Sequence, residues 1–212
     1  MSKIIPIVMC GGAGTRLWPA SRESMPKQFI SLLGEQSSFQ TTMLRIAPSD
    51  LFSKSIVLTS EDFRFVVADQ LRQVGLDADI VLEPMRRDSG PAIAVASVLA
   101  LQQDPDALLL VLASDHAIKD VEAFYRACRE AAPIAQQGRI VTFGIVPTEP
   151  ATGFGYLKPG AHYPASDVRQ LEAFAEKPSK VTAATYIQAG YLWNSGNFLF
   201  RASTMKAEFS KY

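Results

Sequence analysis

An apolar run, Ile4 to Met9, leads directly into a glycine-rich segment that ends at Pro19. The run is short and continuously apolar, which predicts a buried strand. A strand that opens into glycines lets main-chain N–H groups converge on an anion, and bulkier residues would block the dihedral angles and the close approach that this needs. Arg16 and Lys27 place two cations beside the segment. The pattern therefore predicts a polyphosphate site, with main-chain donors from Gly11, Gly12, Ala13, Gly14 and Thr15.

Two familiar glycine-rich loops fit this segment poorly. A P-loop ends in Gly-Lys-Ser/Thr, whereas Gly14 is followed by Thr15 and Arg16. A dinucleotide-binding GxGxxG loop would have a third glycine where Leu17 stands. A turn that merely uses glycine would leave the two downstream cations unexplained.

Strand-like runs alternate with helix-like patterns along most of the chain. Strands are predicted at 4–9, 55–59, 79–82, 108–113 and 139–144, and helices at 39–46, 61–74, 91–103 and 121–136. This alternation is typical of a mainly parallel sheet flanked by helices, a Rossmann-like α/β fold. In the second helix we expect Phe65, Val66, Ala68 and Leu71 to face the core, and we expect the helix at 91–103 to be largely buried.

The composition of the chain changes after Gly144. Prolines and glycines crowd residues 147–164, which predicts loops and a hairpin. Strands are predicted again at 168–175 and 196–200, with a helix at 180–188. We interpret residues 1–212 as one domain whose second half covers the substrate. A last helix starts near Met205 and stops at Tyr212, so we expect the chain to be the N-terminal part of a longer protein.

Composition narrows the range of partners. Lys and Arg number 21, as do Asp and Glu, so no global field would recruit nucleic acid or an acidic membrane. No apolar run reaches the roughly 20 residues of a membrane span. Two cysteines, with neither metal-ligand nor redox spacing, and no export signal indicate a cytoplasmic location.

Asp115 follows the apolar run 108–113. Ligands of open parallel sheets bind beyond the carboxyl ends of the strands, and Mg²⁺ prefers hard oxygen ligands that it shares with substrate phosphates. Asp115 is therefore a candidate Mg²⁺ ligand. It could instead cap the helix that follows, a role that aspartate also suits.

The segment GGxGTRLWPxSRxxxPKQF, read here from Gly11 to Phe29, resembles the signature of the sugar-phosphate nucleotidyltransferases, in particular the mannose-1-phosphate guanylyltransferases. The details that favour the mannose branch are Trp18, Ser21-Arg22 and Gln28-Phe29. The resemblance implies a glycosyltransferase-A-like nucleotidyltransferase fold over residues 1–212. It also favours Mg²⁺ binding by Asp115, because the segment 113–116 is similar to the metal segment of the family.

The resemblance implies a site in two halves. On the nucleotide half, Arg16, Lys27 and Asp115 would be the catalytic residues, and Glu83, Asp88 and Ser89 would contact the base and ribose. Asp88 stands where the family has asparagine. On the sugar-phosphate half, the residues implied are Gly155, Glu176, Lys177 and Asn194.

The predicted reaction joins mannose-1-phosphate and GTP to give GDP-mannose and pyrophosphate, by in-line attack at the α-phosphate with Mg²⁺. One alternative is another pair, such as glucose-1-phosphate with UTP or dTTP. A second is a non-catalytic regulatory module that binds a nucleotide or nucleotide sugar. An NAD-dependent oxidoreductase is disfavoured by the missing third glycine. A homo-oligomer is compatible with the sequence.

Overall fold

The described part of the chain forms one sheet with helices on both faces. The computed structural model describes residues 3–12, 17–31, 34–85 and 87–211. The strands are β1 Ile4–Met9, β2 Ser55–Ser60, β3 Ala78–Glu83, β4 Leu108–Ala113, β5 Val141–Ile145, β6 Tyr156–His162, β7 Arg169–Ala175 and β8 Leu192–Arg201. The helices are α1 Ser38–Arg45, α2 Arg64–Gln73, α3 Ser89–Gln103, α4 Val121–Gln136, α5 Lys180–Gln188 and α6 Ala202–Phe209.

The strand order creates a crevice between β1 and β4. The order is β3-β2-β1-β4-β8-β6-β7, with β5 also paired to β8. Strands β1 to β4 are mutually parallel, and β8 runs antiparallel to β4, β5 and β6. The chain moves from β1 to β2 and β3 on one side and then crosses to β4 on the other. In open α/β sheets, ligands bind at the carboxyl ends of the strands where the order reverses in this way.

Each face of the sheet has its own core. Helices α1, α2 and α4 cover one face with the buried side chains Phe39, Met43, Val67, Leu71, Phe124 and Cys128. Helix α3 covers the other face with Ala92, Ile93, Ala96 and Ala100, and α6 adds Ala202. Because both faces are covered, the parallel strands are apolar along nearly their whole length, as the sequence shows for β1 and β4.

The sequence predicted the position of most elements. The bounds of β1, β4, α4 and α5 are confirmed, and β2, β3 and β7 differ by one residue at one end or both. Strand β5 begins two residues later than predicted. Strand β8 is longer than the predicted 196–200: it spans Leu192–Arg201, and residues 192–195 belong to it although Gly196 has a φ of 74°.

The expectation for residues 61–74 was partly wrong. A 3-10 helix, Glu61–Phe63, precedes α2, and the buried side chains are Phe63, Val67 and Leu71 at i, i+4 spacing. Phe65 is exposed, with the Arg64 guanidinium 4.3 Å from its ring centroid. Ala68 is also exposed. The 3-10 turn moves Phe63 into the core and so rotates the apolar face of the helix.

Helix α3 is buried on one side only. It begins at Ser89, so Pro91 stands in the first turn, where its missing N–H costs no helical hydrogen bond. Val95 and Val98 are exposed, which corrects the expectation that the helix is largely buried. Among the helices of the described residues, none is long and apolar enough to cross a membrane.

Candidate active site

The crevice between β1 and β4 carries the predicted site residues on both sides. Gly11 and Gly12 follow β1, and Asp115 lies just beyond β4. The Ser114 N–H donates to the Met9 carbonyl at 3.3 Å, which extends the β1–β4 pairing past the strand ends. Asp115 is therefore held beside the start of the glycine-rich segment.

A cavity of about 380 Å³ opens here, a size typical of small-molecule sites. Its apolar lining comes from the sheet and from α3: Met9, Val111, Ala113, Phe198, Ala92 and Ile93. The predicted site residues that line it are Gly11, Gly12, Lys27, Glu83, Asp88, Ser89 and Asp115. The structure thus brings together the nucleotide half of the predicted site from four separate stretches of sequence.

The rest of the glycine-rich segment, Ala13, Gly14, Thr15 and Arg16, lies outside the described residues. Gly12 has a φ of 108°, a backbone conformation that side chains disfavour. Among the described residues, no atom lies within 4 Å of the position that a Cβ would take at Gly11 or Gly12. Glycine at position 12 is therefore required by the backbone conformation and not by packing against the protein.

Lys27 faces Asp115 across the cavity. Its Nζ lies 2.6 Å from Asp115 Oδ2, and the two side chains are 41% and 29% exposed. A partly exposed ion pair of this kind contributes little to stability, on the order of 1 kcal/mol or less. Lys27 and Asp115 can therefore separate and bind groups of a ligand at little cost in free energy.

Side chains of two helices hold the turn that carries Lys27. Pro26, with a φ of −62°, starts a 3-10 helix over Lys27–Phe29. Gln70 of α2 donates from Nε2 to the Phe29 carbonyl at 2.8 Å, and Ser38 of α1 donates to the Gln28 carbonyl at 3.3 Å. These contacts come from two helices, so the orientation of Lys27 depends on the packing of α1 and α2.

Asp115 does not cap a helix. Helix α4 begins at Val121 and is capped by Asp120, whose carboxylate accepts from the Ala123 N–H at 2.8 Å. The carboxylate of Asp115 is instead directed to Lys27. This removes the capping alternative that the sequence left open.

The loop between β3 and α3 supplies carboxylates to the other end of the cavity. Glu83 is the last residue of β3, and burial raises the pKa of its carboxyl group. Asp88 precedes α3 with a φ of 57°, and its side chain makes no capping hydrogen bond. A non-glycine residue in this region is strained, and such strain tends to cluster at functional sites. Arg87, which sequence reasoning did not single out, also lines the cavity.

The four residues predicted to bind the sugar phosphate form a second cluster next to the cavity. The Asn194 N–H donates to the Gly155 carbonyl at 2.8 Å. Glu176 and Lys177 form an ion pair at 2.8 Å. A Cβ at Gly155 would lie 3.0 Å from Glu176 Oε2 and 2.7 Å from the Phe174 ring, so glycine is needed there for space. All four predicted residues are thus close together, although none of them lines the 380 Å³ cavity.

Thr142 orients the amide of Asn194 and was missed from the sequence. Its hydroxyl donates to Asn194 Oδ1 at 2.9 Å, and the Gly196 N–H donates to the same oxygen at 3.2 Å. Because the main-chain N–H can only donate, the atom that faces it is the oxygen, which leaves Nδ2 as the outward donor. Gly196 lines the cavity, so residues 194–196 of β8 join the two parts of the site. No local pattern identifies Thr142, because the contact spans 52 residues.

Cys10, at the base of the glycine-rich segment, is fully buried. Burial raises the pKa of its thiol to about 12, so the sulfur remains protonated at neutral pH. A protonated thiol is a poor nucleophile. Cys10 is therefore not a candidate nucleophile, and the groups available for catalysis at this crevice are charged side chains and main-chain donors.

The carboxylates of the crevice suit a metal ion that arrives with a nucleotide. In the part of the chain that the structure describes, no group of three or more His, Cys, Asp or Glu could hold a metal ion alone. Mg²⁺ commonly uses one or two protein carboxylates and completes its shell with phosphate oxygens and water. Asp115, partly exposed in the lining of this cavity, fits that mode of binding.

A switch-point crevice with a glycine-rich segment, a lysine and an aspartate defines a nucleotide-binding α/β protein. A family model described as nucleotidyl transferase matches residues 5–211. The chain belongs to the nucleotidyl transferase family.

The names of similar proteins agree with this family. The xanthan biosynthesis protein XanB of Xanthomonas campestris pv. campestris (strain B100) is 51% identical over 214 residues, which cover 100% of this chain and 45% of that protein. A mannose-1-phosphate guanylyltransferase of Sinorhizobium fredii is 46% identical over 215 residues, or 100% of this chain and 42% of that protein. The chain thus spans a little under half the length of these relatives.

A solved structure supports the fold. A protein of Thermus thermophilus, described as a mannose-1-phosphate geranyltransferase, is 34% identical and superposes with a TM-score of 0.88, covering 99% of this chain and 61% of that one. The predicted Rossmann-like, glycosyltransferase-A-like nucleotidyltransferase fold is confirmed.

Proposed function

We propose that this chain carries the guanylyltransferase activity that joins mannose-1-phosphate and GTP into GDP-mannose and pyrophosphate. The observation that carries the proposal is the Lys27–Asp115 pair, 2.6 Å apart, at the crevice that the glycine-rich segment borders. The names of the relatives support the choice of mannose-1-phosphate and a guanine nucleotide.

The reaction needs no protein nucleophile. An oxygen of the sugar phosphate attacks the α-phosphorus of GTP, the new P–O bond forms, and the bond from that phosphorus to the bridging oxygen of the β-phosphate breaks. The electron pair leaves with pyrophosphate. The protein must align two anions that repel each other and must stabilise the charge of the transition state.

The front of the chain would bind the triphosphate. Main-chain N–H groups of residues 11–15 would surround the β- and γ-phosphates, and Arg16 would stabilise the departing pyrophosphate. For Ala13 to Arg16 this assignment rests on the sequence, because they lie outside the described residues.

Lys27 and Asp115 would exchange partners when substrates bind. The ammonium of Lys27 would move from the carboxylate to the α-phosphate, where negative charge develops. Asp115 would then hold Mg²⁺, which when bound neutralises charge on the nucleotide and the sugar phosphate. Since the pair is partly exposed, this exchange costs little free energy.

Recognition of the two substrates would be divided between the two parts of the site. Glu83, Asp88 and Ser89 line the cavity, and we propose that Glu83 would accept hydrogen bonds from guanine and that Asp88 and Ser89 would contact the ribose. Glu176 and the Nδ2 of Asn194 would bind sugar hydroxyls. The Gly155 N–H and Lys177 would bind the phosphate of the sugar.

Pyrophosphate release tests the proposal directly. The purified protein is supplied with Mg²⁺ and mannose-1-phosphate or glucose-1-phosphate, each combined with GTP, ATP, UTP or dTTP. We expect release to be fastest with GTP and mannose-1-phosphate. Faster release with glucose-1-phosphate and UTP or dTTP would show a different substrate pair. Calorimetric binding of Mg²⁺–GTP without any release would show a binding module.

Three further properties remain predictions. We propose a cytoplasmic location from the two cysteines, which have neither metal-ligand nor redox spacing, and we propose that the chain has no nucleic-acid partner, because its charges balance. A homo-oligomer is compatible with the structure and is tested by light scattering.

A further inference from the structure

A buried arginine holds the loop that carries Asp115. Arg45 is the last residue of α1 and is 6% exposed. Its Nη2 donates to the main-chain carbonyl of His116 at 3.1 Å, across 71 residues of sequence. His116 directly follows Asp115, so the guanidinium fixes the main chain on one side of that carboxylate.

Burying the Arg45 guanidinium costs more free energy than burying an apolar side chain of similar size would. Within the described parts of the chain, no carboxylate lies within ion-pair distance of Arg45. A buried charge without a partner of opposite sign costs several kcal/mol in desolvation, and an apolar side chain of similar size often packs better. What the guanidinium adds is a charge-assisted hydrogen bond of defined direction to one carbonyl.

The other side of Asp115 is fixed as well. Ser114 is buried, its N–H is bonded to β1, and its side chain interacts with the thiol of Cys10. The Thr42 hydroxyl of α1 approaches the Ser114 carbonyl at 3.5 Å. Thr42 and Arg45 are three residues apart on one helix, so α1 contacts the loop on both sides of Asp115.

Arg45 is itself anchored from the next helix. The Tyr125 hydroxyl of α4 donates to the Arg45 carbonyl at 2.6 Å, and its ring packs edge-on against Phe52. The end of α1 therefore cannot shift without breaking contacts to α4.

We propose that Arg45 is a positioning residue: it holds the His116 carbonyl and thereby sets the Asp115 carboxylate at the distance from Lys27 and from a nucleotide-borne divalent cation that catalysis needs. The inference rests on the proposed function, because it assigns Asp115 to that cation. Residues that orient a metal ligand without touching the metal typically change metal affinity or activity by about 10- to 100-fold when they are replaced.

The test measures cation affinity as well as turnover. Mn²⁺ serves as the probe, because electron paramagnetic resonance quantifies its free form; GTP is kept equimolar with the protein, and each titration is compared with GTP alone because GTP itself binds Mn²⁺. We expect Arg45→Met to weaken Mn²⁺ binding and to lower kcat, each by about tenfold or more, while the KM for mannose-1-phosphate stays constant. Arg45→Lys retains a cationic donor and should recover most of the loss.

Two controls separate positioning from stability. Ile134→Ala removes buried contacts near the end of α4, away from the loop, and should lower the melting temperature without changing Mn²⁺ affinity. Should Arg45→Met fail to fold, Tyr125→Phe takes its place, with an expected loss of about threefold from one lost hydrogen bond.

The outcomes are distinct. Arg45→Met with wild-type Mn²⁺ affinity, alongside a loss in Asp115→Asn, would overturn the inference and leave the proposed function standing. Unchanged Mn²⁺ affinity in Asp115→Asn would overturn the inference together with the assignment of Asp115 to the cation, whereas the proposed function is decided separately by pyrophosphate release. A double variant no weaker than Asp115→Asn alone would support action through that carboxylate, since coupled residues are not additive.

Discussion

The strands behind the nucleotide cavity, β1, β2 and β4, are buried along almost their whole length, whereas β7 beside the sugar cluster is exposed at nearly every residue. The first group is parallel and packed between helices. The second is an antiparallel hairpin at the edge of the sheet. The nucleotide side is therefore positioned by close packing, and the sugar side by a few specific contacts. Substitutions in the two regions should therefore impair different properties of the protein.

The largest expected effect is on the nucleotide side. Lys27→Ala removes the cation that faces Asp115 and should lower kcat by on the order of 10²- to 10³-fold, the usual cost of one preorganised charge. Steady-state pyrophosphate release measures it. Lys54→Ala is the matched control, because Lys54 pairs with Asp77 and Asp79 at the opposite end of the sheet and should retain full activity. A Lys27 variant with normal turnover would reject the assigned role.

On the sugar side, Gly155→Ala should raise the KM for mannose-1-phosphate by about 10- to 100-fold, because an added methyl group displaces Glu176. Phe174 is half exposed and can yield, so the stability loss should stay near the low end of overpacking, about 1 kcal/mol. GTP affinity, measured by calorimetry, should not change.

Gly153→Ala is the control for this experiment, since a Cβ at Gly153 meets no atom within 4 Å. Adding Phe174→Leu to Gly155→Ala should restore part of the lost affinity. If Gly153→Ala is equally harmful, loop flexibility and not space would be the cause.

Glu83 gives a smaller, pH-dependent effect. Burial raises the pKa of its carboxyl group, and only the ionised form accepts from guanine on both oxygens. GTP affinity is then complete above that pKa and is lost as the pH falls through it, at a higher pH than for an ordinary glutamate. Glu83→Gln should weaken GTP about tenfold at neutral pH and remove this pH dependence. An unchanged pH profile of the GTP Kd in the variant would contradict the assignment.

The smallest effect concerns the orientation of Asn194. Thr142→Val keeps the shape of the side chain but removes the donor to Oδ1, so we expect the KM for mannose-1-phosphate to rise about fivefold. Thr185→Val removes a local hydrogen bond on α5 and serves as control. Equal KM values in the two variants would show that the Gly196 N–H alone orients the amide.

Sequence predicted the parallel strands β1 and β4 better than the antiparallel strand β8, for a physical reason. A short, continuous apolar run between turn residues is most stable as a buried strand. The strands β1 and β4 have the predicted bounds residue for residue. In β8, polar residues and a glycine resembled a turn, but pairing with β5 and β6 overrode the local preference. The orientation of α2 was missed because the 3-10 turn before it is set by the packing of Phe63.

The candidate site divides in a similar way. Asp115 and Glu83, which lie at strand ends, could be found from the rule that ligands bind at carboxyl ends, and Lys27 could be found from its motif. Arg45 and Thr142 could not, because each acts through a partner more than 50 residues away and carries no local pattern. Contacts of this kind exist only in the assembled sheet.

The Asn194–Gly196 stretch of β8 sets the distance between the two parts of the candidate site. Asn194 belongs to the cluster with Gly155 and Glu176, Gly196 lines the cavity, and two residues of strand span about 7 Å. Inserting or deleting a single residue there would both alter this spacing and turn the following side chains to the opposite face. Evolution of a new sugar preference should therefore proceed by exchange of side chains around this stretch, with its length left untouched.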